Sequence, residues 1–213
     1  MFFTRKSLFL YAVTDRRWTG ERTLFEQVED ALRGGVTCVQ LREKELDSAA
    51  FLEEARQMKA LCRRFGVPLI INDNVDVALA CGADGVHLGQ SDLAAGDVRS
   101  RTGRDFIIGV TAKTVEQALA AQKAGADYLG SGAVFGTSTK ADALPMTQER
   151  LTEICEAVSI PVVAIGGVCL HNIGELAGTP ISGAAVVSGI FAQKDIEGTC
   201  RALCGALSGI VKA

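Results

Sequence analysis

The stretch Pro68-Leu69-Ile70-Ile71-Asn72-Asp73-Asn74 carries the reading of the fold. An apolar, β-branched run reads as a buried strand, stops on an amide and a carboxylate, and gives way at once to the helical pattern VDVALA. The same grammar recurs immediately downstream. ADGVHL runs into Gly89-Gln90-Ser91-Asp92, so a second strand ends among polar residues one unit later.

Working outward, short apolar runs occur at 8–13, 37–41, 68–71, 85–88, 106–110, 127–130, 161–165 and 184–187, eight candidate strands in all. Helical patterns lie between them. After Asp47, a good N-cap, Phe51, Leu52, Ala55, Met58, Leu61 and Cys62 share one face of a helix. Thr23-x-x-Glu26 and Thr114-x-x-Gln117 read as capping boxes. The segments RGGVTCV, ACGADGV, KAGADYL and ISGAAV place glycine where a helix would end before the next strand, because glycine takes the left-handed conformation cheaply. Strict βα alternation with eight strands predicts a closed parallel (β/α)8 barrel of the TIM type rather than an open doubly wound sheet.

The 213 residues fit one such domain, 1–213, near the lower length limit of the fold. Their 48% hydrophobic content is enough for a sizeable core. With 22 basic and 25 acidic residues mixed along the chain, no basic face is expected, which argues against nucleic acid. No apolar run reaches membrane-spanning length, and no leader pattern opens the chain. Seven cysteines without metal-type spacing, set among apolar neighbours, suggest buried thiols in the reducing cytoplasm.

In a barrel of this type chemistry sits at the carboxyl ends of the strands, and polar residues collect there. They include Thr14 and Asp15, Gln40, Arg42 and Lys44, Asn72 and Asp73, Gln90 and Asp92, Thr111, 137–140, Gly166 and Gly167, and Ser188. Period-two alternation in QLREK puts Gln40, Arg42 and Lys44 on one side and Leu41 and Glu43 on the other. Asp73 and Asp92 close neighbouring strands about 4.8 Å apart, so their carboxylates can converge on one cation. Oxygen ligands, few in number and flanked by cations, suggest Mg2+ shared with a diphosphate. The plainer reading is that each aspartate caps the helix that follows it. Gly166-Gly167 and Val187-Ser188-Gly189 offer backbone amides at the usual phosphate pocket of such barrels, although tight turns also demand glycine. Two anion sites imply two phosphorylated substrates. Of the two histidines, His87 within a strand and His171 at a helix start both read as structural. Trp18 reads equally as a cover for the site and as a surface anchor.

With those residues in view, the chain resembles the thiamine-phosphate synthase family nearly end to end. The segments that carry the resemblance are YAVTD (11–15), VQLREK (39–44), IIND (70–73), GVHLGQSDL (85–93), IGV (108–110), ADYLGSGAVFGTSTK (126–140), AIGG (164–167) and VVSG (186–189). The resemblance implies a (β/α)8 barrel that joins a hydroxymethylpyrimidine diphosphate to a thiazole phosphate, with Mg2+ and release of pyrophosphate. By position it implies that Gln40, Leu41, Arg42, Glu43, Lys44 and Asn72 contact the pyrimidine diphosphate, that Asp73 and Asp92 hold Mg2+, and that Lys140 meets the diphosphate. Thr137, Ser138 and Thr139, with Gly167, Val187 and Ser188, would hold the thiazole substrate. Thr111 stands where the family commonly has serine, and its hydroxyl keeps pyrophosphate contact; Lys113 stands where histidine is frequent. Arg42, Lys44, Lys140 and Thr111 are thus the expected catalytic set. A thiazole tautomerase on the same barrel and a non-catalytic phosphate-sensing barrel are the alternatives. The oligomeric state is left open, with a homo-oligomer as one option.

Overall fold

In the computed structural model, which describes residues 3–136 and 146–211, every one of the apolar runs forms a short strand. These are β1 (Leu10–Val13), β2 (Cys38–Leu41), β3 (Leu69–Asn72), β4 (Gly85–Leu88), β5 (Ile107–Thr111), β6 (Tyr128–Ser131), β7 (Val162–Ile165) and β8 (Gly183–Val186). All pair in parallel and in sequence order, and β8 closes on β1, with Ala185 opposite Tyr11. The expected (β/α)8 barrel is observed.

Two apolar layers explain why the strands read as unbroken apolar runs. Outward-pointing residues such as Leu10, Val39, Leu69, Ile71, Val86 and Ile108 pack under the helices in one continuous core. Inward-pointing residues, among them Tyr11, Val13, Cys38, Ile70, Tyr128 and Val163, fill the barrel as a second cluster. Because both faces of a parallel barrel strand are covered, alternation does not announce itself in the sequence.

The helices that follow the first six strands are α1 (Leu24–Arg33), α2 (Ser48–Phe65), α3 (Val75–Cys81), α4 (Ala95–Thr102), α5 (Val115–Lys123) and α6 (Gln148–Ala157). Asp47 caps α2 by accepting from Ala49 and Ala50, and Thr23 and Glu26 form the full capping box of α1. At α5 only half of the expected box forms. Thr114 accepts from the Gln117 amide, whereas the Gln117 side chain accepts from Lys113 instead.

The last units depart from the pattern. Between β7 and β8 there is only a 3-10 turn, Ile173–Leu176, and β8 is followed by α7 (Ser188–Phe191) and α8 (Ile196–Ser208). Gly183 therefore does not end a helix, as ISGAAV suggests. It opens β8, where a Cβ would run into the carbonyl oxygens of Leu8 and Phe9, so close backbone approach is what requires glycine.

Trp18 packs partly buried against the outer core and does not line the central cavity. Phe3 stacks at 5.9 Å on Tyr128 within the barrel; Phe2 lies outside the described residues. Of the cysteines, Cys38, Cys62 and Cys200 are buried and the other four partly so, all unpaired. Burial pushes the thiols of Cys62 and Cys200 up to about 12, as expected of inert packing groups. Among the described residues, no helix is long and apolar enough to cross a membrane.

Candidate active site

A cavity of about 510 Å3 opens at the carboxyl end of the barrel. Strand β2 delivers Gln40 and Arg42 to it. Gln40 is buried and donates from Nε2 to the Tyr11 hydroxyl at 2.8 Å. The Arg42 backbone N–H donates to Thr14 Oγ1 at 2.9 Å, which fixes the chain where the strand ends. Its guanidinium stands 3.9 Å from Asp15 Oδ2, and its buried Nε has no hydrogen-bond partner among the described residues.

The alternation expected of QLREK is realised in the structure. Leu41 is fully buried under the helices. Glu43 turns away to Arg16, which donates to it from Nε at 2.9 Å and from Nη2 at 2.7 Å. The side chains of Leu41 and Glu43 thus turn away from the cavity, as the alternation predicts, which leaves their backbone as the part of them that could meet substrate. Lys44 reaches across to β3, where its Nζ donates to Asp73 Oδ2 at 2.6 Å.

Neither aspartate is a helix cap. Asn74 caps α3, accepting from the Val77 amide at 2.9 Å, and the N-cap of α4 is Ala94, with no side-chain bond. Asp73 instead sits in the left-handed region at φ 63, alone in that respect among the described non-glycine residues. Aspartate tolerates this conformation better than most side chains, and such local strain concentrates at functional sites. Asp92 lies in the turn beyond β4 and folds back, its Oδ2 accepting from the Gly89 amide at 2.6 Å. Burial raises the Asp92 carboxyl above the ordinary range, and hydrogen bonding and repulsion from Asp73 add to it against the pull of the Gly89 amide and Lys44. Two carboxylates have been brought against each other, Asp73 lining the cavity and Lys44 beside them.

Across the cavity, Thr111 ends β5. Its Oγ1 lies 3.0 Å from His87 Nε2, and its carbonyl accepts from Gln90 Nε2 at 2.5 Å. Lys113, two residues on, lines the same wall. On the side of β7 and β8 the lining passes to Gly166, Gly167, Val187 and Ser188. Both glycines have positive φ, 98 and 69. A Cβ on Gly167 would overlap the Gly136 carbonyl oxygen and Phe135, so the backbone alone already demands glycine there. Thr137, Ser138, Thr139 and Lys140 lie outside the described residues.

A sequence model of the thiamine monophosphate synthase family matches residues 10–190. The chain belongs to the thiamine monophosphate synthase family. It is 53% identical over 194 residues to a thiamine-phosphate synthase of Ruminiclostridium cellulolyticum, covering 91% of this chain and 92% of that one. It is 49% identical over 196 residues to the Clostridium tetani thiamine-phosphate synthase, covering 92% and 94%. In structure it is similar to a thiamine phosphate pyrophosphorylase from Pyrococcus furiosus, with TM-score 0.88, 38% identity and coverage of 96% and 97%. As a member of this family it is a transferase of thiamine biosynthesis that acts on small molecules.

For a thiamine monophosphate synthase, the cavity holds one side chain that the sequence reading set aside. His87 is not a mere strand residue: it points inward, is paired in register with Asn72 across β3 and β4, and lines the cavity. Period-two alternation in GVHL, with Val86 and Leu88 facing the helices, carried that signal. His171 is exposed on the loop before the 3-10 turn.

Proposed function

We propose that residues 1–213 act as one catalytic barrel joining 4-amino-2-methyl-5-hydroxymethylpyrimidine diphosphate to 4-methyl-5-(2-phosphoethyl)thiazole, or its carboxylate form. The products are thiamine phosphate and pyrophosphate. The observation that carries this reading is the meeting of Asp73 and Asp92, neither of them a helix cap, with Lys44 paired to Asp73 and with Asp73 and Arg42 both lining the cavity.

The donor set fits Mg2+. Two mutually repelling carboxylates, one of them raised in pKa by burial and by its neighbour, favour a hard cation between them, and so small a protein ligand count leaves positions for water and phosphate oxygens. When bound, the ion would supply positive charge to the departing diphosphate.

The chain's own residues do the rest. Arg42 and Lys44, with Lys140, stabilise negative charge as the bond between the pyrimidine methylene and the diphosphate oxygen breaks and the oxygen keeps the electron pair. Thr111 offers a hydroxyl to the same group. Asn72 and Gln40 orient the pyrimidine ring. The thiazole nitrogen, held by 137–139, Gly167, Val187 and Ser188, supplies its lone pair to the methylene carbon and forms the new C–N bond. No proton leaves the nucleophile, so no general base is needed.

A thiazole tautomerase would leave Arg42 and the paired carboxylates without a task. The unpaired cysteines support a reducing compartment, the cytoplasm. Incubating the protein with both substrates, with Mg2+ and with EDTA, and measuring thiamine phosphate and pyrophosphate tests the reading. We expect equimolar products that vanish with EDTA; no product with Mg2+, or undiminished product in EDTA, overturns it.

A further inference from the structure

Below the cavity, an unbroken line of hydrogen bonds crosses the inside of the barrel. Gln40 Nε2 donates to Tyr11 OH at 2.8 Å; Tyr11 OH and Tyr128 OH are 2.8 Å apart; Tyr128 OH lies 3.1 Å from His87 Nδ1; and His87 Nε2 lies 3.0 Å from Thr111 Oγ1. The line begins and ends on residues of the substrate cavity and passes through β2, β1, β6, β4 and β5 on the way.

The barrel wall is shaped around it. A Cβ on Gly109 would run into the Tyr128 ring, and one on Gly130 would come within 3.1 Å of His87 Cε1. Glycine at these two positions gives the two rings their room. Burial raises both tyrosine hydroxyls well above the ordinary range, Tyr128 adding to the rise at Tyr11 while the bond from Tyr11 works against it at Tyr128, so each phenol keeps its one proton.

That single proton per hydroxyl makes the line directional. A buried hydroxyl that accepted from both neighbours would leave its own proton without an acceptor on the line, so each gives its proton forward and takes one from behind, and the whole line runs one way or the other. With Gln40 donating to Tyr11, the Tyr11 proton goes to Tyr128 and the Tyr128 proton to His87 Nδ1. The ring then carries its own proton on Nε2 and gives it to Thr111 Oγ1. The Thr111 hydroxyl, already accepting, is left to donate into the cavity. In the opposite sense Thr111 would have to give its proton to His87, and its oxygen would face the cavity as an acceptor. A phosphate oxygen can only accept, so an anionic ligand selects the first sense.

We infer that Tyr11, Tyr128 and His87 are positioning residues that couple the two ends of the pyrimidine diphosphate site, so that Thr111 presents a donor to the diphosphate while Gln40 presents its Oε1 acceptor to the ring's amino group. This rests on the proposed synthase reaction for the names of the two ligand groups. In the protein by itself the sense of the line is set by Gln40 donating to Tyr11, which places the His87 proton on Nε2, and an anionic ligand favours the same sense.

The protein holds only His87 and His171, so two ring signals suffice. Nitrogen NMR of the wild-type protein labelled in histidine, free and with MgCl2 and inorganic pyrophosphate, reads the tautomer; His171→Gln assigns the spectrum. We expect a neutral His87 ring with the proton on Nε2 in both samples. A ring protonated on Nδ1, or on both nitrogens, overturns the inference whatever the enzyme's activity. Tyr128→Phe keeps the ring and removes the link. We expect a mixture of His87 tautomers and a fall in kcat of about 10–100-fold, the range typical of groups that orient a residue touching the ligand, with KM for the thiazole phosphate unchanged. A Tyr128→Phe protein with wild-type kcat and an unaltered His87 tautomer reduces the hydroxyl to core filling and also overturns it. An inactive wild type with His87 protonated on Nε2 would instead count against the synthase reaction alone.

Discussion

Lys44 Nζ and Asp73 Oδ2 stand 2.6 Å apart, and the same carboxylate oxygen accepts from Asn72 Nδ2 at 2.6 Å. The carboxylate assigned to the cation is thus held from two sides by the segment that ends β2 and by its own strand. In the proposed reaction a cation that took this oxygen would compete with Lys44 for it and free the lysine for the diphosphate.

Asp73→Asn separates metal binding from backbone geometry. Asparagine tolerates the left-handed conformation that position 73 requires, so thermal unfolding should shift little. Turnover should fall by about 100-fold or more, because a neutral amide is a poor Mg2+ ligand and leaves the diphosphate charge uncompensated. Steady-state kinetics across a Mg2+ titration, alongside a melting curve, gives both numbers. Retained turnover would remove Asp73 from the cation.

Thr111→Val keeps the shape of the side chain and deletes the hydroxyl. It should lower activity, and it should also remove the bond at 3.0 Å to His87 Nε2, for a stability loss of about 0.5–1.5 kcal/mol. Thr111→Ser should be nearly neutral in both. Urea unfolding and kcat measured on the pair of variants check this, and a valine variant as active as wild type would mean that the hydroxyl has no ligand.

Much of the architecture was legible because a barrel repeats its local grammar: an apolar run, a polar stop, a helix and a glycine. Arg42, Asn72, Asp73 and Thr111 were visible for the same reason, since polar residues at strand ends interrupt that grammar. Tyr11 and Tyr128 were not, because LYAV and DYLG read as core whichever way the ring points, and both faces of these strands are covered. Gly183 was misassigned because a glycine forced by close backbone approach and one forced by positive φ look alike in a sequence. The roles of Gly166 and Gly167 stay divided between ligand and backbone for that reason.

Gly109→Ala tests the packing that holds the buried tyrosine. The new methyl would meet the Tyr128 ring inside a filled barrel, so the ring must move. Overpacking of this kind costs about 1–3 kcal/mol. Chemical denaturation should show that loss. An unchanged midpoint would mean that Tyr128 has room to retreat.

The pH dependence of stability should carry a signature from Glu54, remote from the cavity. Burial raises its carboxyl above the ordinary range despite the pull of Arg16, with Glu43 adding repulsion. A raised folded value means that the native state binds this proton more tightly than the unfolded chain does. Its contribution is full below the unfolded value and is lost as pH rises through the folded one. The stability difference between wild type and Glu54→Gln should therefore shift toward the variant as pH increases over that window. A difference that is flat with pH would contradict the raised value.

The left-handed backbone at position 73 has a consequence for how this gene can fail. Few residues fit that conformation, and those that do, glycine and asparagine besides aspartate, would leave the chain folding normally while removing the negative charge. If Asp73 holds the cation as proposed, missense changes to either would yield a full complement of folded but inert protein that cellular quality control has no cause to clear. Such lesions would be invisible to any screen that reads abundance and apparent only to one that reads growth without the vitamin.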